Sequence, residues 1–159
     1  MHNFIILTDT RQQKEKHILK KFDEANIIHI RTGLPSADYM ALRYNDDFTL
    51  DYSVLIDTKK DLEEVANNLC NTSNHERIKR EIAKAKELGC ENFIFLVGDS
   101  KIKTPDDIIK WHSPHTKVKG ITLFKIMLTF QKKYSVRFIF CQKKDMGSKI
   151  IELLESKGE

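Results

Sequence analysis

Two short and almost wholly apolar segments restrict the possible folds of this chain more than any other feature. They are Asn92–Val97 and Val136–Cys141, and between them Gly120–Tyr134 repeats apolar residues at helical spacing. Apolar runs of this kind are typical of strands buried on both faces, and two such strands joined through a helix pair in parallel. The segments therefore predict an α/β protein whose sheet is covered by helices on both faces.

The first half of the chain is predicted to add an antiparallel hairpin and two more strands. Asp38–Tyr44 and Phe48–Ile56 flank an Asn-Asp-Asp turn, which favours a hairpin. The other predicted strands are Asn3–Thr8 and Ile27–Thr32, and the other predicted helices are Gln12–Ala25, Lys60–Leu69, Asn74–Leu88 and Gly147–Ser156. Residues 98–119 are expected to be irregular, apart from a short capped helix after Thr104.

The size and composition of the chain exclude several classes of protein. Its 159 residues are expected to form one domain, residues 1–159. No apolar run approaches a membrane span and no signal peptide is present, so we expect a cytoplasmic protein without a membrane partner. Cys70, Cys90 and Cys141 lack the spacing of a zinc site or a redox pair. A net charge of +4 permits a polyanionic partner without requiring one.

Three acids fall at or beside the ends of predicted strands. These are Asp9, Asp38 and Asp57, and Lys59 stands two residues beyond the last of them. Side chains at i and i+2 of a strand point to the same face, so Asp57 and Lys59 can share one pocket. One or two carboxylates suffice to hold Mg²⁺ on a phosphate, and a lysine can orient the attacking water or stabilise the pentavalent state. This pattern indicates metal-dependent phosphodiester hydrolysis, with no covalent intermediate.

The same residues permit a simpler interpretation. A strand that ends in Asp is common, and Asp57 could merely cap the helix predicted to start at Lys60. Spacing alone leaves the two interpretations about equal.

The order of these residues resembles the nuclease domain of the XPF and Mus-type structure-specific endonucleases, a restriction-endonuclease-like branch of the PD-(D/E)xK superfamily. The family pattern is Asp-x-Arg after the first strand, then Gly-Asp-Tyr, then Glu-Arg-Lys with an Asp shortly after it. The corresponding residues here are Asp9-Thr10-Arg11, Ala37-Asp38-Tyr39, Asp57-Thr58-Lys59 and Glu63. The resemblance extends through the Asn-rich turn 67–74 and a helix with Arg77 and Glu81, and it covers residues 3–142.

The resemblance implies a three-layer α/β/α fold with a central mixed sheet. It also implies a DNA endonuclease that depends on Mg²⁺ or Mn²⁺ and acts on branched or junction DNA. The implied metal ligands are Asp9, Asp38 and Asp57, the implied catalytic residues are Asp38, Asp57 and Lys59, and the implied DNA-facing residues are Arg11, Lys60, Arg77 and Glu81. Arg77 and Glu81 could equally be solvated charges on an exposed helix face.

The resemblance also leads to expectations about dimerisation and about a further DNA-binding domain. Relatives commonly dimerise, and the apolar segment Gly120–Cys141 could serve a homodimer. Their tandem helix-hairpin-helix domain is not expected within residues 1–159. The small size favours a bacterial or phage gene.

Three positions depart from the family pattern. Ala37 replaces Gly, which is tolerable if the backbone there does not need a positive φ. Asp57 replaces Glu, which shortens the carboxylate arm. Thr58 replaces Arg and loses a guanidinium that could hold a phosphate or a carboxylate; Lys60 or Arg11 could compensate.

Two alternatives remain open at this point. One is a non-catalytic DNA-binding or scaffolding copy of the nuclease fold, against which the intact Asp38, Asp57 and Lys59 argue. The other is a nuclease that acts on RNA.

Overall fold

The computed structural model describes residues 2–12 and 15–159, which are organised around a mixed six-stranded sheet. The strands are β1 (Phe4–Asp9), β2 (His29–Thr32), β3 (Tyr39–Tyr44), β4 (Phe48–Lys59), β5 (Asn92–Val97) and β6 (Val136–Phe140). The helices are α1 (Lys16–Glu24), α2 (Leu62–Cys70), α3 (Thr72–Glu87), α4 (Pro105–Ile109), α5 (Gly120–Tyr134) and α6 (Met146–Glu155). A 3₁₀ turn, Lys143–Asp145, leads into α6.

The strand order is β2-β1-β3-β4-β5-β6. β3 pairs antiparallel with both β1 and β4, whereas β4, β5 and β6 are parallel and joined through helices. The predicted hairpin and the predicted parallel pairing of the two apolar segments are both confirmed. β5 and the second half of β4, residues 54–59, lie near the middle of the sheet and are buried, which explains the continuous apolar sequence of β5. β6 is an edge strand and only its first residue is buried, so the expectation of burial on both faces is wrong for β6.

Helices cover both faces of the sheet, so the predicted three-layer α/β/α fold is confirmed. On one face, α2, α3 and α5 pack apolar residues such as Leu62, Ile82 and Phe130 against the sheet. On the other face, α1 and α6 pack residues such as Phe22 and Ile150. The apolar residues of each helix recur every three or four positions, which places them on the single side that meets the sheet.

The end of β4 differs from the prediction in a way that matters for the site. The strand was expected to stop at Ile56, but it continues to Lys59 because Asp57, Thr58 and Lys59 pair with β5 in parallel register. The helix that follows begins at Leu62 and not at Lys60, and its cap is Asp61, whose carboxylate accepts a hydrogen bond from Glu64 N. The simpler interpretation of Asp57 as a helix cap is therefore wrong.

Several helix boundaries also differ from the predictions. The helix predicted over Gln12–Ala25 is observed from Lys16, and its residues 13 and 14 lie outside the described part of the chain. α3 begins at Thr72, two residues earlier than predicted, because the Asn71 side chain accepts a hydrogen bond from Asn74 N and caps it. Within residues 2–12 and 15–159, no helix has both the length and the apolar character needed to cross a membrane.

Candidate active site

The topology brings the predicted site residues to one edge of the sheet. β1 and β4 run in the same direction and β3 runs in the opposite one, so Asp9, Asp57 and Lys59 at strand ends meet Asp38 just before β3. A cavity of about 240 Å³ opens at this edge. Its walls contain all of the predicted site residues except Lys60, namely Asp9, Arg11, Asp38, Asp57, Lys59, Arg77 and Glu81.

Asp38 and Asp57 form the acidic centre of the cavity. Asp38 Oδ2 accepts hydrogen bonds from Thr58 N at 2.8 Å and from Thr58 Oγ1 at 3.1 Å, which fixes the carboxylate against β4. Burial raises the pKa of Asp38 well above its ordinary value, and the charge of Asp57 and a hydrogen bond with Asp57 raise it further. Two carboxylates in contact cannot both hold a negative charge cheaply. The pair is therefore suited to a proton or a cation.

Lys59 is the positive partner of this centre. Its Nζ lies 3.0 Å from Asp57 Oδ2, on the same face of β4, as the spacing predicted, and both side chains are only 8% exposed. Burial lowers the pKa of Lys59, but the charge and hydrogen bond of Asp57 outweigh it, so the pKa of Lys59 is raised overall. Lys59 therefore carries its proton at neutral pH and supplies positive charge.

The carboxylates fit a divalent cation. Within the part of the chain that the structure describes, no group of three or more His, Cys, Asp or Glu side chains is arranged as a metal site. Asp57 Oδ2 is buried and lies 3.0 Å from the Lys59 ammonium. Asp38 and Asp57, which line the same cavity, provide the one or two oxygen ligands that Mg²⁺ takes from a protein.

Asp9 lines the cavity, but its oxygens are already engaged. Asp9 Oδ1 accepts a hydrogen bond from Leu34 N at 2.9 Å, and Oδ2 accepts hydrogen bonds from Arg11 Nε at 2.7 Å and from Arg11 N. Arg11 also donates to the Leu34 carbonyl, and the hydrogen bond with Asp9 raises the pKa of Arg11. Asp9 and Arg11 therefore tie the end of β1 to the loop that leads to Asp38.

Glu81 holds the turn that presents Asp38. Its Oε1 accepts a hydrogen bond from Ala37 N at 2.9 Å, and Ala37 has a φ of 63°. The condition under which Ala in place of Gly was expected to be tolerable is therefore not met, because the left-handed conformation costs a residue with a Cβ about 1–2 kcal/mol. The pKa of Glu81 is raised by burial and by the charge of Asp57.

The Thr58 hydroxyl contacts three side chains, and the sequence did not predict two of them, Gln12 and Glu15. The hydroxyl lies 2.9 Å from Gln12 Nε2, 3.2 Å from Glu15 Oε1 and 3.1 Å from Asp38 Oδ2. Neither Arg11, which bonds Asp9, nor Lys60, which is exposed, replaces the guanidinium of the family pattern. Gln12 and Glu15 occupy that neighbourhood instead, and burial raises the pKa of Glu15. No periodicity in the sequence distinguishes Glu15 from a solvated helix residue.

Asn68 is a second residue that sequence reasoning missed. Its Oδ1 accepts hydrogen bonds from Lys59 Nζ and from Arg77 Nη2, both at 3.2 Å, and its Nδ2 donates to the Glu64 carbonyl. A buried Asn among the apolar positions of α2 was the available signal, because a buried polar group needs partners. Asn68 therefore fixes Lys59 and connects it to Arg77.

Glu63, the acid expected after the Asp-Thr-Lys triplet, does not line the cavity. Glu63 points away from the cavity and accepts a hydrogen bond from Ser113 Oγ at 2.7 Å, whereas Glu64 lines the cavity. The helix start at Leu62 rotates the acid at 63 toward the loop around Ser113 and the acid at 64 toward Lys59.

For the DNA cleavage that the resemblance implies, replacing Asn68 by Ala is expected to lower kcat about tenfold, because Lys59 loses an acceptor that orients it. The measurement is steady-state cleavage of a labelled DNA substrate, with folding checked by circular dichroism. The matched control is Asn67→Ala, which removes the same amide from the exposed neighbouring position. Equal rates for the two variants would contradict the role of Asn68.

Replacing Asp38 by Asn is expected to stabilise the metal-free protein at neutral pH. The pKa of Asp38 is raised in the folded protein, whereas aspartate in an unfolded chain titrates near about pH 3.9. Between these values the folded protein holds a proton that the unfolded chain has lost, so the free energy of unfolding falls as pH rises. Asp38→Asn removes the carboxyl group that titrates, so it also removes this fall in the free energy of unfolding.

The measurement is urea unfolding in a chelator from about pH 3 to pH 8, which spans the unfolded pKa of aspartate. The advantage of Asp38→Asn should appear at neutral pH and shrink below about pH 4. Asp46→Asn, on the exposed hairpin turn, is the control and should show no such trend. A wild type that gains stability relative to Asp38→Asn as pH rises would contradict the expectation.

Comparison with known proteins agrees with this geometry. The family model of the ERCC4 domain matches residues 8–154. Among solved structures, XPF from Aeropyrum pernix has a TM-score of 0.66 and 16% identity, over 96% of this chain and 64% of that chain. XPF from Aeropyrum pernix in complex with DNA has a TM-score of 0.62 and 17% identity, over 96% of this chain and 63% of that chain.

The chain spans less than two thirds of the length of either XPF chain. No curated protein matches it. The family model nevertheless covers most of the chain, including every residue of the cavity. The chain therefore belongs to the ERCC4 family of nuclease domains, and it has the restriction-endonuclease-like fold of XPF.

Proposed function

We propose that the protein is a divalent-metal-dependent DNA endonuclease that hydrolyses phosphodiester bonds. The observation that supports this most directly is that Asp38, Asp57 and Lys59 line one cavity, where Lys59 Nζ lies 3.0 Å from Asp57 Oδ2 and the charge of Asp57 acts on Asp38. A second carboxylate beside this ion pair is costly unless a proton or a cation compensates its charge. A bound divalent cation would provide that compensation.

Asp38 and Asp57 would hold Mg²⁺ or Mn²⁺. When bound, the cation lowers the pKa of water toward neutrality and neutralises charge on the scissile phosphate. Lys59, held beside Asp57, would stabilise the negative charge that develops on the phosphate. Asn68 holds the Lys59 ammonium in place, and Arg77, on the same Asn68 oxygen, adds a second positive charge to the cavity wall.

Branched or junction DNA is the proposed substrate. The family assignment favours a nuclease, and one structure with the same fold is an XPF in complex with DNA. A non-catalytic copy of the fold is the second candidate. The arrangement of Asp38, Asp57 and Lys59 disfavours it, because a site that no longer cleaves has no reason to retain a strained pair of carboxylates.

The test is incubation of the purified protein with labelled forked, flapped and four-way DNA in Mg²⁺ or Mn²⁺. Cleavage by the wild type that stops in a chelator and is absent from Asp57→Ala is the expected result. DNA binding by the wild type without metal-dependent cleavage would establish the non-catalytic alternative. Faster cleavage of matched RNA would redirect the proposal to an RNA substrate.

We also propose that two copies associate through the face formed by α5 and β6. This face has a groove of about 360 Å³. Its walls are mainly apolar and include Ile102, Ile108, Phe124, Met127, Phe138 and Phe140. Light scattering after size-exclusion chromatography should give twice the chain mass for the wild type and one chain mass for Phe124→Glu. A monomeric wild type at all concentrations would contradict the dimer.

A further inference from the structure

A second and larger cleft adjoins the catalytic cavity. Its volume is about 650 Å³, and Arg11, Gln12, Thr58 and Glu64 line both the cleft and the cavity, so the two are adjacent. The additional walls come from the start of α1, the residue after β4 and the 3₁₀ turn before α6. A long ligand that occupies the cavity would therefore also meet the cleft.

Three lysines from three different elements surround the cleft. Lys16, Lys60 and Lys143 are all exposed, and none of them forms an ion pair with any residue that the structure describes. Lysines farther along α1 and α6 differ from these three, because they form ion pairs. Lys20 and Lys21 of α1 pair with Glu24, and Lys149 of α6 pairs with Glu152. The three lysines of the cleft are therefore available to contact an external anion.

The acids of the cleft do not cancel this charge. Glu15 and Glu64 also line it, against the three lysines, whereas Arg11 is already paired with Asp9. The Glu15 carboxylate is occupied by Gln12 Nε2 at 2.6 Å and by the Thr58 hydroxyl. Single lysines are flexible point charges, which suits contacts with successive phosphates better than it suits one planar anion.

We propose that this cleft binds the phosphate backbone of the DNA strand that leads away from the scissile bond, with Lys16, Lys60 and Lys143 as the contacts. The inference rests on the proposed function, because it takes the neighbouring cavity as the place of the scissile phosphate. It adds a binding site for a polyanionic strand, on the α1 and α6 side of the sheet. Contacts of this kind position the strand and do not read its sequence.

The test measures DNA binding in a chelator, which prevents cleavage. Binding is measured by the fluorescence anisotropy of labelled single-stranded and forked DNA. Each single Lys→Ala variant of the cleft is expected to raise Kd about three- to tenfold near about 0.1 M salt. The triple variant Lys16→Ala/Lys60→Ala/Lys143→Ala should reduce the slope of log K against log salt by about two to three. The matched control is Lys20→Ala/Lys132→Ala/Lys149→Ala, which has the same net charge on surfaces outside the cleft.

The proposal is overturned if the two triple variants bind alike, or if the wild type does not bind DNA in the chelator. These outcomes are separate from those of the cleavage assay. A wild type that binds through the cleft but never cuts DNA would support this site and contradict the nuclease. A wild type that cuts DNA, with cleft variants whose Kd for DNA is unchanged, would support the nuclease and contradict this binding site.

Discussion

Replacing Lys59 by Met is expected to lower the kcat of DNA cleavage about 10²–10³-fold, which corresponds to about 3–4 kcal/mol of transition-state stabilisation. The physical reason is that Lys59 is buried, protonated and fixed by Asp57 and Asn68, so its charge is already oriented before the reaction. The measurement is single-turnover cleavage at saturating protein, which separates the chemical step from binding.

The neighbouring Lys60 provides the matched control. It carries the same charge but is exposed and lines the second cleft, so Lys60→Met should raise KM and leave kcat nearly unchanged. Lys59→Met also leaves the Asp57 carboxylate without its cation, and the loss of one partner of a buried pair costs about 3 kcal/mol of stability. Lys59→Arg retains the charge and should fold stably while still cleaving slowly. A normal kcat in either Lys59 variant would contradict the role of Lys59.

Replacing Asp9 by Ala is expected to lower the free energy of unfolding by about 2–3 kcal/mol. The main loss is the acceptor of Leu34 N, which is buried and would be left unsatisfied. The ion pair with Arg11 contributes less, because the Arg11 side chain is 67% exposed and solvent screens it. The measurement is urea unfolding at neutral pH.

Asp9→Asn is the matched control, since its amide oxygen can still accept from Leu34 N. It should lose only about 1 kcal/mol and keep most of the cleavage activity if Asp9 ties the loop in place. The resemblance to the XPF-type nucleases implies that Asp9 is a metal ligand, and that role gives a different result. Asp9→Asn would then fold normally but need far more Mg²⁺ for cleavage. Wild-type stability in Asp9→Ala would contradict the structural role.

Asp57 and Lys59 show how far the sequence could predict the site. Their shared face follows from the two-residue period of a strand, which holds for any strand whatever surrounds it. The positions of Asp9 and Asp38 followed from the ends of apolar segments in the same way. The resemblance to the XPF-type nucleases then ordered these residues into one site, and the family match over residues 8–154 confirmed the family.

Asn68, Gln12 and Glu15 could not be predicted in this way. Asn68 reaches the site from α2, and Gln12 and Glu15 reach it from the residues before α1, so their contacts depend on how these elements pack against the sheet. The same dependence explains why Glu64 faces the cavity and Glu63 does not. Helical periodicity gives the buried side of a helix but not the partner that the side meets.

The sequence by itself determined the α/β architecture and the placement of two carboxylates and a lysine at strand ends. Both follow from short-range geometry, which the local order of apolar and polar residues is sufficient to fix. Only the tertiary structure decided that Asp9 bonds Leu34 N, that Ala37 is left-handed and that β4 extends to Lys59. These features arise from contacts between residues distant in the chain, whose energies depend on packing that no local pattern encodes.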